Sequence, residues 1–78
     1  SVSMVYEIPV QTHVTLTVYN TLGQEVVRIV DQVLIPGRYE AVWDGINARG
    51  IRVSAGIYLY RIKCASGYTA TKKMVFLK

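Results

Sequence analysis

The side chains able to do chemistry in this chain are few and far apart. Cys64 is its one thiol and His13 its one imidazole. A cysteine nucleophile needs a base within reach to take its proton, and these two fall on different extended segments. Cys64 shares an alternating row with Tyr60 and Ile62, so a buried, inert thiol is expected, because free cysteine packs like a small hydrophobe. His13 alone makes no zinc site, which needs several converging ligands. It reads as a solvated residue at a strand end. The acids Glu7, Glu25, Asp31, Glu40 and Asp44 are scattered singly, without the Asp-x-Asp spacing of a calcium loop or the paired carboxylates of acid–base catalysis. Asp44 stands apart because Gly45 follows it. There an aspartate is expected to brace a turn by bonding its own backbone two residues on, while the glycine takes positive φ. The glycines are spaced as turns and none opens a helix, so no phosphate loop is formed. These residues give no catalytic, cofactor-binding or metal site, and a non-enzyme is expected.

The elements that carry them are easier to read. The 78 residues, numbered 1–78, make one domain, 51 % hydrophobic and only 18 % charged. With Val, Ile, Thr and Tyr throughout, this composition excludes a disordered tail and favours an all-β globule. No apolar run exceeds four residues, far short of the roughly 20 of a spanning helix, so no membrane insertion is expected. A single cysteine excludes a disulfide-rich scaffold. The chain opens at Ser1 without Met, and the expectation is a module of a larger protein. Of nine basic residues, Arg61, Lys63, Lys72, Lys73 and Lys78 lie in the final part, within a net charge of +4. That charge is too modest, and the tyrosines too committed to the interior, for a specific nucleic-acid partner.

Period-2 alternation marks the strands. Met4, Tyr6 and Ile8 alternate with Ser3, Val5 and Glu7 before Pro9, and Val14, Leu16 and Val18 alternate with Thr15, Thr17 and Tyr19. Asn20 to Gly23 has the form of a type I turn into a hairpin partner at Glu25 to Val30. There Val26, Val27, Ile29 and Val30 do not alternate, which calls for a bulge or for cover on both faces. Asp31 to Gly37 reads as a loop, after which Tyr39, Ala41 and Trp43 point one way, with Trp43 plugging the core. Gly50 and Gly56 bracket a short extended piece around Val53. Ile57 to Ala65 places Tyr58, Tyr60, Ile62 and Cys64 on one face and Ile57, Leu59, Arg61 and Lys63 on the other. Ser66-Gly67 turns into a final strand, Thr69 to Lys78, with Met74 and Phe76 on one face and Val75 and Leu77 on the other. A three-residue loop there sets Tyr60 opposite Met74 and Tyr58 opposite Phe76. The fold expected is a small immunoglobulin-like antiparallel β-sandwich of six or seven strands. Trp43, Asp44, Gly45, Gly56, Tyr58 and Tyr60 form its scaffold. Outward-facing Ile57, Leu59, Val75 and Leu77 form an apolar patch flanked by Lys72, Lys73 and Lys78, the kind of patch that marks a docking surface or a contact with a neighbouring domain.

Over almost its whole length the chain resembles the C-terminal sorting domains of type IX secretion cargo and the related FlgD-like Ig domains. YEIPVQTHVTLTVYNTLGQEV looks like the opening of that family, a strand ending in Pro, a V-x-L-x-V-Y strand and a turn of the form D/N-x-x-G-x-x-V. Gly37, Tyr39, Trp43, Asp44 and Gly45 fit G-x-Y-x-x-x-W-D-G. Gly50, Val53, Gly56, Tyr58, Tyr60 and Ile62 fit G-x-x-V-x-x-G-x-Y-x-Y-x-[LI]. TKKMVFLK is similar to the K-K-M-x-L-x-K ending of type IX cargo, with Phe76 in place of the usual Leu. The Asn-Pro-Phe-like segment that often precedes the first strand of the family is not in this sequence. The resemblance implies a non-catalytic domain, without cofactor, that directs a larger cargo protein through the periplasm to the outer-membrane secretion and attachment machinery. The cargo would be secreted, or held at the cell surface of a Gram-negative-type bacterium. Lys72, Lys73, Met74, Val75, Phe76, Leu77 and Lys78 would be its sorting and docking segment. In the FlgD-like branch the resemblance implies instead a structural module that contacts an adjacent domain or subunit.

Overall fold

The computed structural model describes residues 1–77, so Lys78 of the expected docking segment lies outside the described residues. The strands are β1 (Val2–Ile8), β2 (Thr12–Tyr19), β3 (Glu25–Leu34), β4 (Gly37–Trp43), β5 (Gly56–Cys64) and β6 (Thr69–Phe76). They form two antiparallel sheets, a two-stranded β1-β4 and a four-stranded β3-β2-β5-β6. This is the all-β, immunoglobulin-like sandwich the alternation calls for.

Every strand but β3 sends one buried row into the space between the sheets. The small sheet contributes Met4, Tyr6, Ile8, Ala41 and Trp43, and the large sheet contributes Val14, Leu16, Val18, Tyr58, Tyr60, Ile62, Cys64, Met74 and Phe76. Trp43 is 3 % exposed, and its ring lies 5.0 Å from those of Tyr58 and Phe76. This cluster ties β4 to β5 and β6, and edge-on aromatic contacts of this kind add to the area they bury.

Three details depart from the sequence reading. The stretch from Asp31 to Leu34 is not loop but the second half of β3, paired with Thr12 to Thr15, and the connection to β4 is only residues 35–36. The ladder to β2 supplies the backbone partners that Asp31 and Gln32 do not favour by propensity. As the broken alternation called for, β3 slips register twice, leaving Ile29 and Val26 as extra residues. These bulges twist the strand, and Val26, Val27, Ile29 and Val30 all become half-buried. In the β5–β6 hairpin, Tyr58 faces Met74, Tyr60 faces Lys72 and Gly56 faces Phe76, two places from the register expected. The three-residue loop is Ala65, Ser66 and Gly67, with Gly67 last at φ 111° and its N–H donating to the Cys64 carbonyl. A glycine closing such a loop takes up the positive φ of the bulge position, which sets the loop one residue upstream. Ser66 N–H donates to Thr12 Oγ1 (3.0 Å), and Ala65 N–H donates to the His13 carbonyl (3.0 Å), fixing the turn to β2.

The third departure is the loop of residues 44–55. Asn47, not Asp44, braces it, with Oδ1 accepting from the N–H groups of Arg49 (2.9 Å) and Ile51 (3.0 Å). Asn20 does the same in the β2–β3 turn, accepting from Leu22 and Gln24 (both 3.0 Å). Both are Asn-x-x-Gly turns, and in both the glycine N–H returns to the asparagine carbonyl. Trp43 Nε1–H donates to the Ile46 carbonyl (3.0 Å), and Val53 N–H donates to that of Gly45 (2.8 Å). Ala48 N–H reaches the Val26 carbonyl on β3 (3.1 Å) and pins the loop across the sandwich.

Candidate docking face

The outward face of the large sheet holds most of the chemistry the sequence offers, in rows set by strand register. One row runs Glu25, Tyr19, Leu59, Lys73 across β3, β2, β5 and β6, and the next pairs Ile57 with Val75. Ile57 is 48 %, Val75 55 % and Leu77 68 % exposed, whereas Leu59 is half-buried. The expected patch of Ile57, Leu59, Val75 and Leu77 is therefore on the surface, with Ile57 and Val75 in direct register.

Its expected flanks divide. Lys73 belongs to this face, opposite Leu59. Lys72 does not, because its register partner is Tyr60 and it shares the inward row of β6 with Met74 and Phe76. Alternation forbids adjacent lysines from flanking one patch. For the same reason Met74 and Phe76, 8 % and 3 % exposed, are core side chains that cannot be read from outside.

The scaffold residues are placed as follows. Trp43, Tyr58 and Tyr60 are buried, and Tyr58 donates to the Ser54 carbonyl (2.7 Å). Gly45 has φ 81°, and a Cβ there would come within 2.1 Å of the Phe76 ring. Gly56 has φ 150° with open space around it. Asp44 is exposed at the start of its loop.

The candidate chemistry is also located. His13 Nε2 donates to Asp31 Oδ1 (2.5 Å), and Arg28 Nη1 donates to Asp31 Oδ2 (3.3 Å). These bonds, from His13 first and then Arg28, hold the Asp31 carboxyl below its ordinary range. Cys64 faces the opposite way, 3 % exposed, and burial pushes its thiol up, away from the nucleophilic thiolate. Arg61 lies 5.4 Å above the Tyr19 ring and donates through Nε to Thr71 Oγ1 (3.2 Å). Among the described residues no three His, Cys, Asp or Glu side chains converge.

Sequence reasoning missed Asn47, although the repeated Asn-x-x-Gly spacing was there to be read. It also missed the splitting of Lys72 from Lys73, which the alternation around Met74 already contained.

A family model described as the FlgD Ig-like domain matches residues 1–67. No curated protein matches the chain, and no solved structure does. The match runs from β1 into the β5–β6 turn, leaving β6 beyond it. With that match and a sandwich built on the Trp43 cluster, the chain belongs to the FlgD Ig-like domain family and is a structural Ig-like module.

Proposed function

We propose that this module is the sorting and anchoring domain of a larger exported protein, and that the outward face of β5 and β6 is the surface its partner docks on. The observation that carries this reading is the placing of Ile57 on β5 beside Val75 and Leu77 at the edge strand β6, together on the surface with Lys73 beside them. A folded sandwich offering an apolar strip on its edge strand supplies a rigid surface that a receptor can bind with little ordering cost. The partner proposed is the outer-membrane type IX secretion and attachment machinery, reached through the periplasm. The likeness of TKKMVFLK to the ending of such cargo supports that choice. The domain has no catalytic part in it.

The family match favours a second reading, a structural module that covers the same strip with an adjacent domain or subunit. One pair of variants separates the two. Ile57→Ser with Val75→Ser, and Lys73→Glu alone, change only exposed side chains and should leave melting nearly unaltered, as surface substitutions do. In full-length cargo carrying either variant, the protein is expected to accumulate in the periplasm. Normal export with loosened contact to the neighbouring domain, read by limited proteolysis, would instead establish the structural role.

A further inference from the structure

The small sheet covers less than the large sheet presents. Two strands lie over four, and β1 pairs on one side only, with β4. Between β1 and the inward row of β6 is a crevice of about 360 Å³, lined by Val5, Tyr6, Tyr60, Ile62, Ala70 and Lys72. Lys72 is the anomaly in it. It stands in the row whose later members, Met74 and Phe76, are core, yet it is exposed. The ion pairs among the described residues join His13 and Arg28 to Asp31 and Glu25, and Lys72 enters none.

The edges of the sandwich are unequally guarded. β3 is broken by two bulges and carries Glu25, Arg28 and Asp31. β6 carries Lys72 and Lys73, and β4 carries Arg38 and Glu40. Bulges and charges of this kind keep a sheet edge from pairing with foreign strands. β1 is different, with Glu7 its single charge and an unshifted ladder to β4 from Val2 to Ile8. Glu7 is in turn the register partner of Arg38, so neither of these two charges leaves the crevice mouth with a net sign.

We propose that β1 takes up an extended segment of another protein as a third strand of the small sheet, and that a carboxylate in the segment's inward row meets Lys72. Main-chain hydrogen bonds to the free edge of β1 supply affinity, and alternate side chains supply selectivity. Small apolar residues of the segment seat against Tyr60, Ile62 and Ala70. The acidic residue neutralises the one cation of that row. A second copy of this chain fits poorly, because its own β1 brings Met4, Tyr6 and Ile8 as the inward row and no carboxylate. This site is independent of the outward face, since Lys72 and Lys73 point to opposite sides of β6.

The test uses a short synthetic peptide alternating threonine and valine, with one inward valine replaced by glutamate, and a twin carrying lysine there. Amide hydrogen exchange of the folded domain should slow in β1, and the glutamate peptide should bind about tenfold more tightly than the lysine peptide, as expected for one charge pair. Lys72→Glu should reverse that order, and Lys73→Glu should leave it standing. Absence of protection in β1 at millimolar peptide, protection in β6 instead, or a preference unmoved by Lys72→Glu would each overturn the proposal. So would a stable dimer protected at β1, which would make the occupant a second copy.

Discussion

At the scale of single residues, glycine carries more of the structure than any charged side chain. Gly45 combines two demands, a φ of 81° and the Phe76 ring standing where a Cβ would be. Gly23 meets only the first, since its φ is 83° and nothing lies within 4 Å of the Cβ position. A left-handed conformation costs a non-glycine residue about 1 kcal/mol, and overpacking a core adds roughly 1–3 kcal/mol. Gly45→Ala is therefore expected to destabilise by about 2–4 kcal/mol and Gly23→Ala by about 1 kcal/mol in urea unfolding. Equal midpoints for the two variants would mean that the Phe76 ring moves aside freely. Asp44 illustrates the opposite lesson. Its type and position invite a role, but Asn47 holds the loop, because only a side chain further along can reach both the Arg49 and Ile51 amides.

At the scale of elements, pairing overrides local preference. The second half of β3 is poor strand sequence, and it extends because β2 beside it supplies both a ladder and a side-chain bond. His13 and Asp31 are diagonal neighbours across that pair, within the reach at which cross-strand side chains interact. Because the Asp31 carboxyl is held below its ordinary value when folded, the link stabilises the protein above the usual carboxylate range. It is lost as pH falls through the lowered value, since protonation removes the acceptor charge. Asp31→Asn should therefore lower the urea midpoint at neutral pH, with the gap to the parent closing below about pH 4. A gap unchanged down to pH 2 would show that the carboxylate charge does not matter there. The β5–β6 hairpin shows the same precedence. Its loop length is readable in sequence, but the position of Gly67 in the loop sets which residues face each other, and with them the pairing of Ile57 with Val75.

For the whole molecule, the consequence of a two-over-four sandwich is that its last strand belongs to the core. β6 supplies Met74 and Phe76, and Phe76 packs on both Trp43 and Tyr58. Removing residues 72–78 takes away two buried side chains and one wall of the aromatic cluster. Losing even one such side chain costs about 2–5 kcal/mol, and stability in small domains is typically only 5–15 kcal/mol in total. The truncated chain is expected to show no cooperative melt by circular dichroism. A sharp thermal transition close to that of the intact domain would contradict this placement of β6. Truncation therefore cannot separate a docking role from folding, which is why the outward-face variants are the informative ones.

The sequence by itself determined the sandwich, its strands, the inward rows and the burial of Trp43, because side-chain alternation and glycine punctuation are local and follow from a strand's period of two. It also carried the Asn-x-x-Gly turns and the separation of Lys72 from Lys73. Tertiary structure alone decided the rest. The extension of β3 and the places of its two bulges depend on the ladder that β2 supplies, and the β5–β6 register shows only once the two strands are paired. The crevice beside β1 depends on how many strands each sheet receives. The crevice is a non-local match between elements distant in the chain, and no window of sequence contains both sides of it.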